Sequence, residues 1–305
     1  MRRGFKRLGV FLCALIILWT QTAAGLASAA TVYELPMDFS GGMPLMQANY
    51  RGAGDYRDDS IWVHIQKGVF THDDGDRTEY WVASIKIMHP SQLRTRSAFG
   101  FQLNTDTGTS GMKMAQEVNA VLAINGDFYC YTGYGFIVRQ GTQFKNVLRG
   151  DRDVLLVDED GDFHILRTPY SDEVGMTLNG KKVLQAFFFG PALVENGELV
   201  RDMDLRYDMR AEEQRARMCI AQVGPLEYRC ICTTGNMYGY TGMTLTDFAK
   251  LVSKLGVQTA YNLDGGDSTM MAFGGERINS PLDPRDRNIA DIIYFASAFG
   301  STYGK

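Results

Sequence analysis

Two polar loops carry the groups most capable of chemistry. The first is Ala123-Ile124-Asn125-Gly126-Asp127-Phe128-Tyr129, where an apolar run stops abruptly at Asn-Gly-Asp. Gly126 lets the chain turn without a Cβ penalty. Asn125 and Asp127 then project an amide and a carboxylate at a strand end, although Asn-Gly alone is also an ordinary turn. The second is Asn262-Leu263-Asp264-Gly265-Gly266-Asp267-Ser268-Thr269. Its side chains at Asn262, Asp264, Asp267, Ser268 and Thr269 crowd around two glycines, more polar groups than a connection requires. Gly265 and Gly266 admit close approach of a ligand to the backbone, and successive amides there can face an anion. Phosphate is therefore one reading of this loop, but neither GxxxxGK[ST] nor GxGxxG occurs, so it matches no nucleotide fingerprint. Calcium on Asp264 and Asp267 is a rival reading, for which this segment supplies few ligands.

The elements that must hold these loops are mostly strands. Ile61 to Phe70 alternates apolar and polar residues and pairs through the Asp73–Asp76 turn with Tyr80 to Met88. Val154–Val157 and Phe163–Arg167 form a second hairpin around Asp158-Glu159-Asp160-Gly161-Asp162. Both acidic turns invite calcium, but hairpins use Asp and Gly for backbone reasons alone. Val121–Ile124, Gly135–Arg139, Val183–Phe189 and Ala192–Val194 read as strands, the last closed by Asn196-Gly197. Arg217–Val223 and Tyr228–Thr233 make a hairpin around Gly224-Pro225. Met112–Asn119 reads as a short helix. A better one starts at Thr244, which caps the free amides with Asp247 placed to reciprocate; it shows an apolar face at Leu245, Phe248, Ala249, Val252 and Leu255, and ends at Gly256. Gln258–Tyr261, Met270–Phe273 and Ile289–Ala296 complete the strands. The expectation is a single α+β domain with a mixed, largely antiparallel sheet flanked by a few helices.

The N-terminus has the three-part layout of a secretory signal. Arg2, Arg3, Lys6 and Arg7 form a basic start, Leu8 to Trp19 an apolar run, and Ala27-Ser28-Ala29 a small-residue cleavage site. The apolar run is short for a bilayer span, and residues up to Ala30 would be needed to reach one. The expected organisation is a leader or uncleaved anchor over 1–29, a lead-in and hairpin over 30–79, and the main domain over 80–305. Secretion or display on the cell surface follows, with contact to a membrane only through an uncleaved leader. The net charge of −4 becomes more acidic once the basic leader departs, which argues against nucleic acid as a partner.

Cys130, Cys219, Cys230 and Cys232 remain after the leader. Cys230 and Cys232 share a strand face by period two, and Cys219 on the preceding strand stands as a pairing partner for either. Burial as free thiols is the equal alternative. His64, His72, His89 and His164 show no metal-ligand spacing.

Five segments in order resemble the phosphodiester glycosidase family: Ala-Ile-Asn-Gly-Asp-Phe-Tyr (123–129), Phe-Phe-Gly-Pro-Ala-Leu-Val (188–194), Arg217-Met-Cys-Ile-Ala, Gly-Met-Thr-Leu-Thr-Asp-Phe-Ala-Lys-Leu (242–251) and Tyr-Asn-Leu-Asp-Gly-Gly-Asp-Ser-Thr-Met-Met (261–271). The resemblance spans about residues 80–297. Two departures stand out: Asp267 occupies a position where the family usually has a third glycine, and Met218-Cys219 replaces a small Thr-Ala pair. The resemblance implies hydrolysis of a sugar-1-phosphodiester on cell-envelope or exopolysaccharide glycans. Hydrolysis at an anomeric carbon usually uses two carboxylates, and Asp264 with Asp127 is the pair. Arg217 is the first cation for the phosphate, Arg139 the second, with Ser268, Thr269 and the Gly265-Gly266 amides in support. Asn125, Gly126 and Asn262 would orient the substrate, and Asp267 would shape the pocket. No particular cofactor is implied, and the need for a divalent cation such as calcium is left open. A non-catalytic glycan-binding or matrix-assembly protein and a metal-dependent phosphodiesterase are the alternatives. The sugar, the acceptor and the oligomeric state are not encoded legibly.

Overall fold

The computed structural model describes residues 32–98, 108–201, 203, 210–237, 239–279 and 287–299; the leader assigned to 1–29 lies outside them. Three antiparallel sheets enclose one core. The largest runs Asp55–Arg57, Ile61–Thr71, Arg77–Ile87, Glu227–Thr233, Met218–Gly224, Thr259–Leu263, Ala192–Glu195, Glu198–Leu199. The second runs Phe163–Leu166, Val154–Asp158, Lys181–Phe187, Gly135–Arg139, Thr142–Val147, with Thr177–Leu178 paired to its middle strand. The third runs Glu276–Arg277, Met271–Phe273, Ala120–Asn125, Asp291–Ala296, Leu93–Ser97.

Period-two alternation sorts each strand between two faces. In the largest sheet Trp81, Ala83, Met218, Ile220, Cys230 and Cys232 face the common core, where they meet Leu122, Ile124 and Ile293 of the third sheet and Leu155 and Phe187 of the second. The intervening Val82, Cys219, Ala221 and Ile231 face outward and are covered by the helix Leu245–Ser253 through Leu245, Phe248, Ala249 and Val252. Thr244 caps that helix by accepting the Asp247 amide at 3.1 Å, while its hydroxyl also bonds the Asp247 carboxylate. The short helix Gly111–Glu117 covers the outer face of the third sheet.

Several expectations change here. Every strand pair among the described residues is antiparallel, so the sheets are not mixed. Gly111–Glu117 and Leu245–Ser253 are the two α-helices among the described residues; the fold is largely β, and α+β overstates its helix content. Register pairs Met218 with Cys232 and Ile220 with Cys230, which puts Cys219 on the opposite face from both. The cross-hairpin disulfide is therefore sterically barred, and all four cysteines are buried free thiols. Thr142–Val147 is a strand that the sequence pattern hides. It is mostly solvent-facing and lacks apolar alternation, and it follows a tight turn at Gln140-Gly141 with both residues at positive φ.

The lead-in is part of the domain. The fully buried Arg94 donates to the carbonyls of Pro36, Asp38 and Ser40 at 2.8–3.1 Å. A boundary at 79/80 falls inside the strand Arg77–Ile87, which pairs along its length with Glu227–Thr233. The acidic turn 158–162 holds an internal cation: Lys181 Nζ lies 3.2 Å from Asp158 and 2.8 Å from Asp160.

Candidate active site

The two polar loops meet. Asn125 ends the buried strand Ala120–Asn125, and Asp264 follows Thr259–Leu263 in the largest sheet. Asn125 Nδ2 donates to the Asp264 carbonyl at 2.7 Å, and its Oδ1 accepts from the Met270 amide at 3.0 Å. One amide side chain thus bolts both ends of the second loop to the first. Such a side chain, 1% exposed and bonded at both ends, fixes geometry and does not face a ligand.

Asp264 stands in a cleft of about 320 Å³. Its lining includes Arg210, Arg215, Arg217 and Arg287 together with Phe128, Tyr131 and Phe189. The Asp264 carboxyl is raised from its ordinary value to about 6, chiefly by burial, against the opposing hydrogen bonds from Ser268 and the Gly265 amide. Nearby Asp127 adds to the rise.

Asp127 is placed differently. It is 3% exposed and does not line the cleft. Its Oδ1 accepts from Arg139 Nη2 at 2.8 Å and from the Tyr129 amide at 3.2 Å, and its Oδ2 accepts from the Phe188 amide at 2.9 Å. Arg139, fully buried, also bonds Asp291 Oδ2 through Nε at 2.8 Å and donates to the carbonyls of Val138 and Ala186. Its guanidinium lies over the Phe187 ring, 4.6 Å from the centroid. Asp127, Arg139 and Asp291 therefore form a closed buried triad. Burial pushes the Asp291 carboxyl upward, with Arg139 opposing. A Cβ on Gly126 would collide with Asp291 Oδ1, so glycine is required there for close approach and not only for a turn.

The second loop corrects the expectation of an amide cradle. The Gly265 amide donates to Asp264 Oδ1 at 2.9 Å, and the Gly266 amide to the Ala216 carbonyl at 2.8 Å. Ser268 and Thr269 amides close onto Gly265 and Gly266. With the Gly265 and Gly266 amides taken by Asp264 and Ala216, neither is left to face an anion in the cleft. A Cβ on Gly265 would lie 2.7 Å from the Ala216 carbonyl oxygen, and Gly266 has φ +59, so both glycines serve packing and turn geometry.

These observations find a parallel in sequence and fold. The sequence profile described as phosphodiester glycosidase matches residues 118–296. The chain belongs to the phosphodiester glycosidase family. Its fold is similar to the zebrafish N-acetylglucosamine-1-phosphodiester α-N-acetylglucosaminidase catalytic domain, auto-inhibited by pro-peptide, with TM-score 0.65 and 15% identity over 88% of this chain and 99% of that one. A hypothetical protein from Synechocystis is similar at TM-score 0.54 and 14% identity, covering 77% of this chain and 62% of that one. No curated protein matches the chain.

Within this family member the expected site residues fall into two sets. Asp264, Gly265, Gly266, Asp267 and Arg217 line the cleft. Asn125, Gly126, Asp127, Arg139, Asn262, Ser268 and Thr269 stand behind it. Asn262 donates to the Gly190 carbonyl at 2.8 Å and is 1% exposed; Ser268 and Thr269 are 4% and 2% exposed. Arg217 lines the cleft while donating to the carbonyls of Met243, Arg210 and Glu213 at 2.7–2.9 Å. Burial, then Arg215, lowers it to about 10. The histidines bond locally: His64 to Asp55 at 2.6 Å, His72 to Thr78 at 2.7 Å, and His164 to Asp158 at 2.9 Å. Among the described residues no three His, Cys, Asp or Glu are grouped to hold a metal.

Sequence reasoning missed Asp291, Arg210, Arg215, Arg287 and the aromatic lining. Asp291 carried a usable signal, since an acid between Ala290 and Ile292 in an otherwise apolar strand must find a buried cation. The arginines carried none, because exposed arginines are common on any surface.

Proposed function

We propose that this protein is an exported phosphodiester glycosidase that cleaves a sugar-1-phosphodiester of cell-envelope or exopolysaccharide glycans. The observation that carries this reading is the Asp264 carboxyl in a cleft whose lining combines four arginines with three aromatic rings. Aromatic rings suit the apolar face of a sugar, and guanidinium groups suit phosphate. The scissile bond then lies near Asp264.

In this reading Asp264 acts as a carboxylate at the anomeric carbon. As the bond from that carbon to the phosphate oxygen breaks, its electron pair leaves with the phosphate. A water oxygen becomes bonded to the anomeric carbon, directly or after a covalent glycosyl intermediate on Asp264. In the direct route Asp264 takes the water's proton and passes it to solvent; in the covalent route the bond from the anomeric carbon to Asp264 breaks as water attacks, Asp264 leaves as the carboxylate, and the water's proton goes to solvent. The leaving phosphate is stable as an anion, so it needs charge stabilisation more than a general acid. Arg215 and Arg287 are the phosphate ligands, and Arg217 supports Arg215 by tying down the segment at 210–213, whose Glu213 bonds Arg215. Asp127 and Arg139, with Asp291, hold the floor beneath Asp264 rather than the substrate. Export rests on the basic, apolar and small-residue pattern at the N-terminus.

The test is product identity. Incubation with a panel of sugar-1-phosphodiesters is expected to release free sugar and a phosphate monoester, with or without chelator. Release of sugar-1-phosphate, abolished by chelator, would instead mark a metal-dependent phosphodiesterase. Tight binding without any turnover would leave a glycan-binding protein.

A further inference from the structure

Arg215, Gly266 and Asp267 line both the cleft and a neighbouring cavity of about 220 Å³. Gly266 is shared by the two: a Cβ there would reach to 3.4 Å from Arg215 Nη1, in a backbone conformation with φ +59 that side chains rarely adopt. Glu213, Gln214, Ala216, Gly235 and Asn236 complete the second cavity.

The two cavities differ in chemistry. The cleft is cationic and aromatic. The second cavity has two carboxylates, Glu213 and Asp267, two side-chain amides, Gln214 and Asn236, and a single cation, Arg215. Glu213 already accepts from Arg215 Nε at 2.7 Å. Asp267 is 60% exposed, its nearest cation, Arg287, is 3.7 Å away, and its carboxylate accepts no hydrogen bond among the described residues. A separation of 3.7 Å is too long for a hydrogen bond, so Asp267 retains its capacity to accept from a ligand.

We infer that this second cavity receives the leaving-side unit of the substrate, that the unit is a neutral polyol or sugar, and that Asp267 selects it. The inference rests on the phosphodiester reading above. Carboxylates and amides accept and donate to vicinal hydroxyls. A second phosphate would face Glu213 and Asp267 and be repelled. An aryl or lipid leaving group would desolvate the same polar groups without satisfying them. The volume is below that of a drug-sized pocket, which suits one small unit next to the phosphate.

The experiment compares N-acetylglucosamine 1-phosphate esterified with glycerol and with phenol, using the full chain. The unmodified protein is expected to favour the glyceryl diester over the phenyl diester by about tenfold in kcat/KM, as one or two hydrogen bonds would give. Asp267→Ala should collapse that ratio to about twofold or less, and Asp267→Asn, which keeps one acceptor oxygen, should retain part of it. An unmodified protein without the preference, or a ratio that Asp267→Ala leaves intact, overturns the inference. If neither diester is hydrolysed, the hydrolase reading fails separately. The same ratio is then read from Kd by calorimetric titration, with the same two outcomes deciding for or against Asp267.

Discussion

The loops at 123–129 and 262–269 look alike in sequence, each an apolar strand running into Asn, Gly and Asp, yet they put their acids to opposite uses. In the first, Asp127 is sealed beneath the cleft, and both its oxygens accept from Arg139 and main-chain amides. In the second, Asp264 faces the cleft and its carboxyl is raised to about 6 by burial. The difference lies in the partners supplied from elsewhere. Strand Gly135–Arg139 brings a guanidinium to Asp127, and strand Asp291–Ala296 brings a second acid to the same guanidinium. Asp264 meets its own loop and an open cavity. An acid is reactive when the fold leaves it a role unfilled, and only the long-range contacts decide which acid that is.

The comparison breaks most severely at Arg139. Arg139→Ala would leave Asp127 and Asp291 buried without their cation, and removing one partner of such a group costs about 3–5 kcal/mol. Urea unfolding should show the loss, and Arg139→Lys should recover little, because an ammonium does not reproduce the guanidinium fork. Unchanged unfolding in Arg139→Ala would mean that the triad is not a structural keystone.

Next in size is Asp264→Asn, expected to lower kcat by about 10²–10⁴-fold with the fold intact. Because the reacting form is the carboxylate and its pKa is raised to about 6, activity of the unmodified protein should rise with pH through that value and level off above it. A pH–rate profile flat between 5 and 7 would sink the assignment. Asp127→Asn sharpens the contrast: its main effect should be on stability. An activity loss as large as that of Asp264→Asn in a fully folded Asp127→Asn would return Asp127 to the chemistry.

The third test is Asn125→Ala, which removes both bolts between the loops and leaves the buried Met270 amide without its side-chain acceptor. An unsatisfied buried donor costs about 1–3 kcal/mol. Unfolding should shift by that amount, and kcat should fall as the Asp264 loop loosens. Loss of stability with kcat preserved would show that the bolt supports the fold alone.

Much of the frame was legible in the sequence because it depends on local rules. Alternation at Ile61–Phe70 and in the hairpin at 217–233, turn residues at Asp73–Asp76 and Asn196-Gly197, and the Thr244 cap all act within a few residues. The cysteine faces followed from period two, but the absence of a disulfide depended on cross-strand register, which sets Cys219 against Ile231. Convergence of Asn125 and Asp264 was expected from the family resemblance, whereas the roles of the acids were not legible. The resemblance pairs Asp127 with Asp264 because hydrolysis at an anomeric carbon usually takes two carboxylates, whereas the seal around Asp127 is made by Phe188, Arg139 and Asp291, between 12 and 164 positions away in the chain. The phosphate-binding amides failed for a similar reason, since Ala216, far from the glycines in sequence, takes the Gly266 amide.

The smallest effect separates function from stability at Asp264 itself. Its folded-state pKa of about 6 lies above the ordinary carboxylate value, so between about pH 4 and pH 6 the folded chain binds more protons than the unfolded one. Stability contributed by this group therefore falls as pH rises through that window, and the deficit is complete above it. Asp264→Asn has no charge to desolvate. It should unfold at higher urea than the unmodified protein at pH 8, by an amount on the order of 1–3 kcal/mol, and the difference should shrink toward zero near pH 4. A stability difference for Asp264→Asn that stays constant from pH 4 to pH 8 would show that Asp264 carries no raised pKa. The contrast between the open acid and the sealed one would then rest on exposure alone.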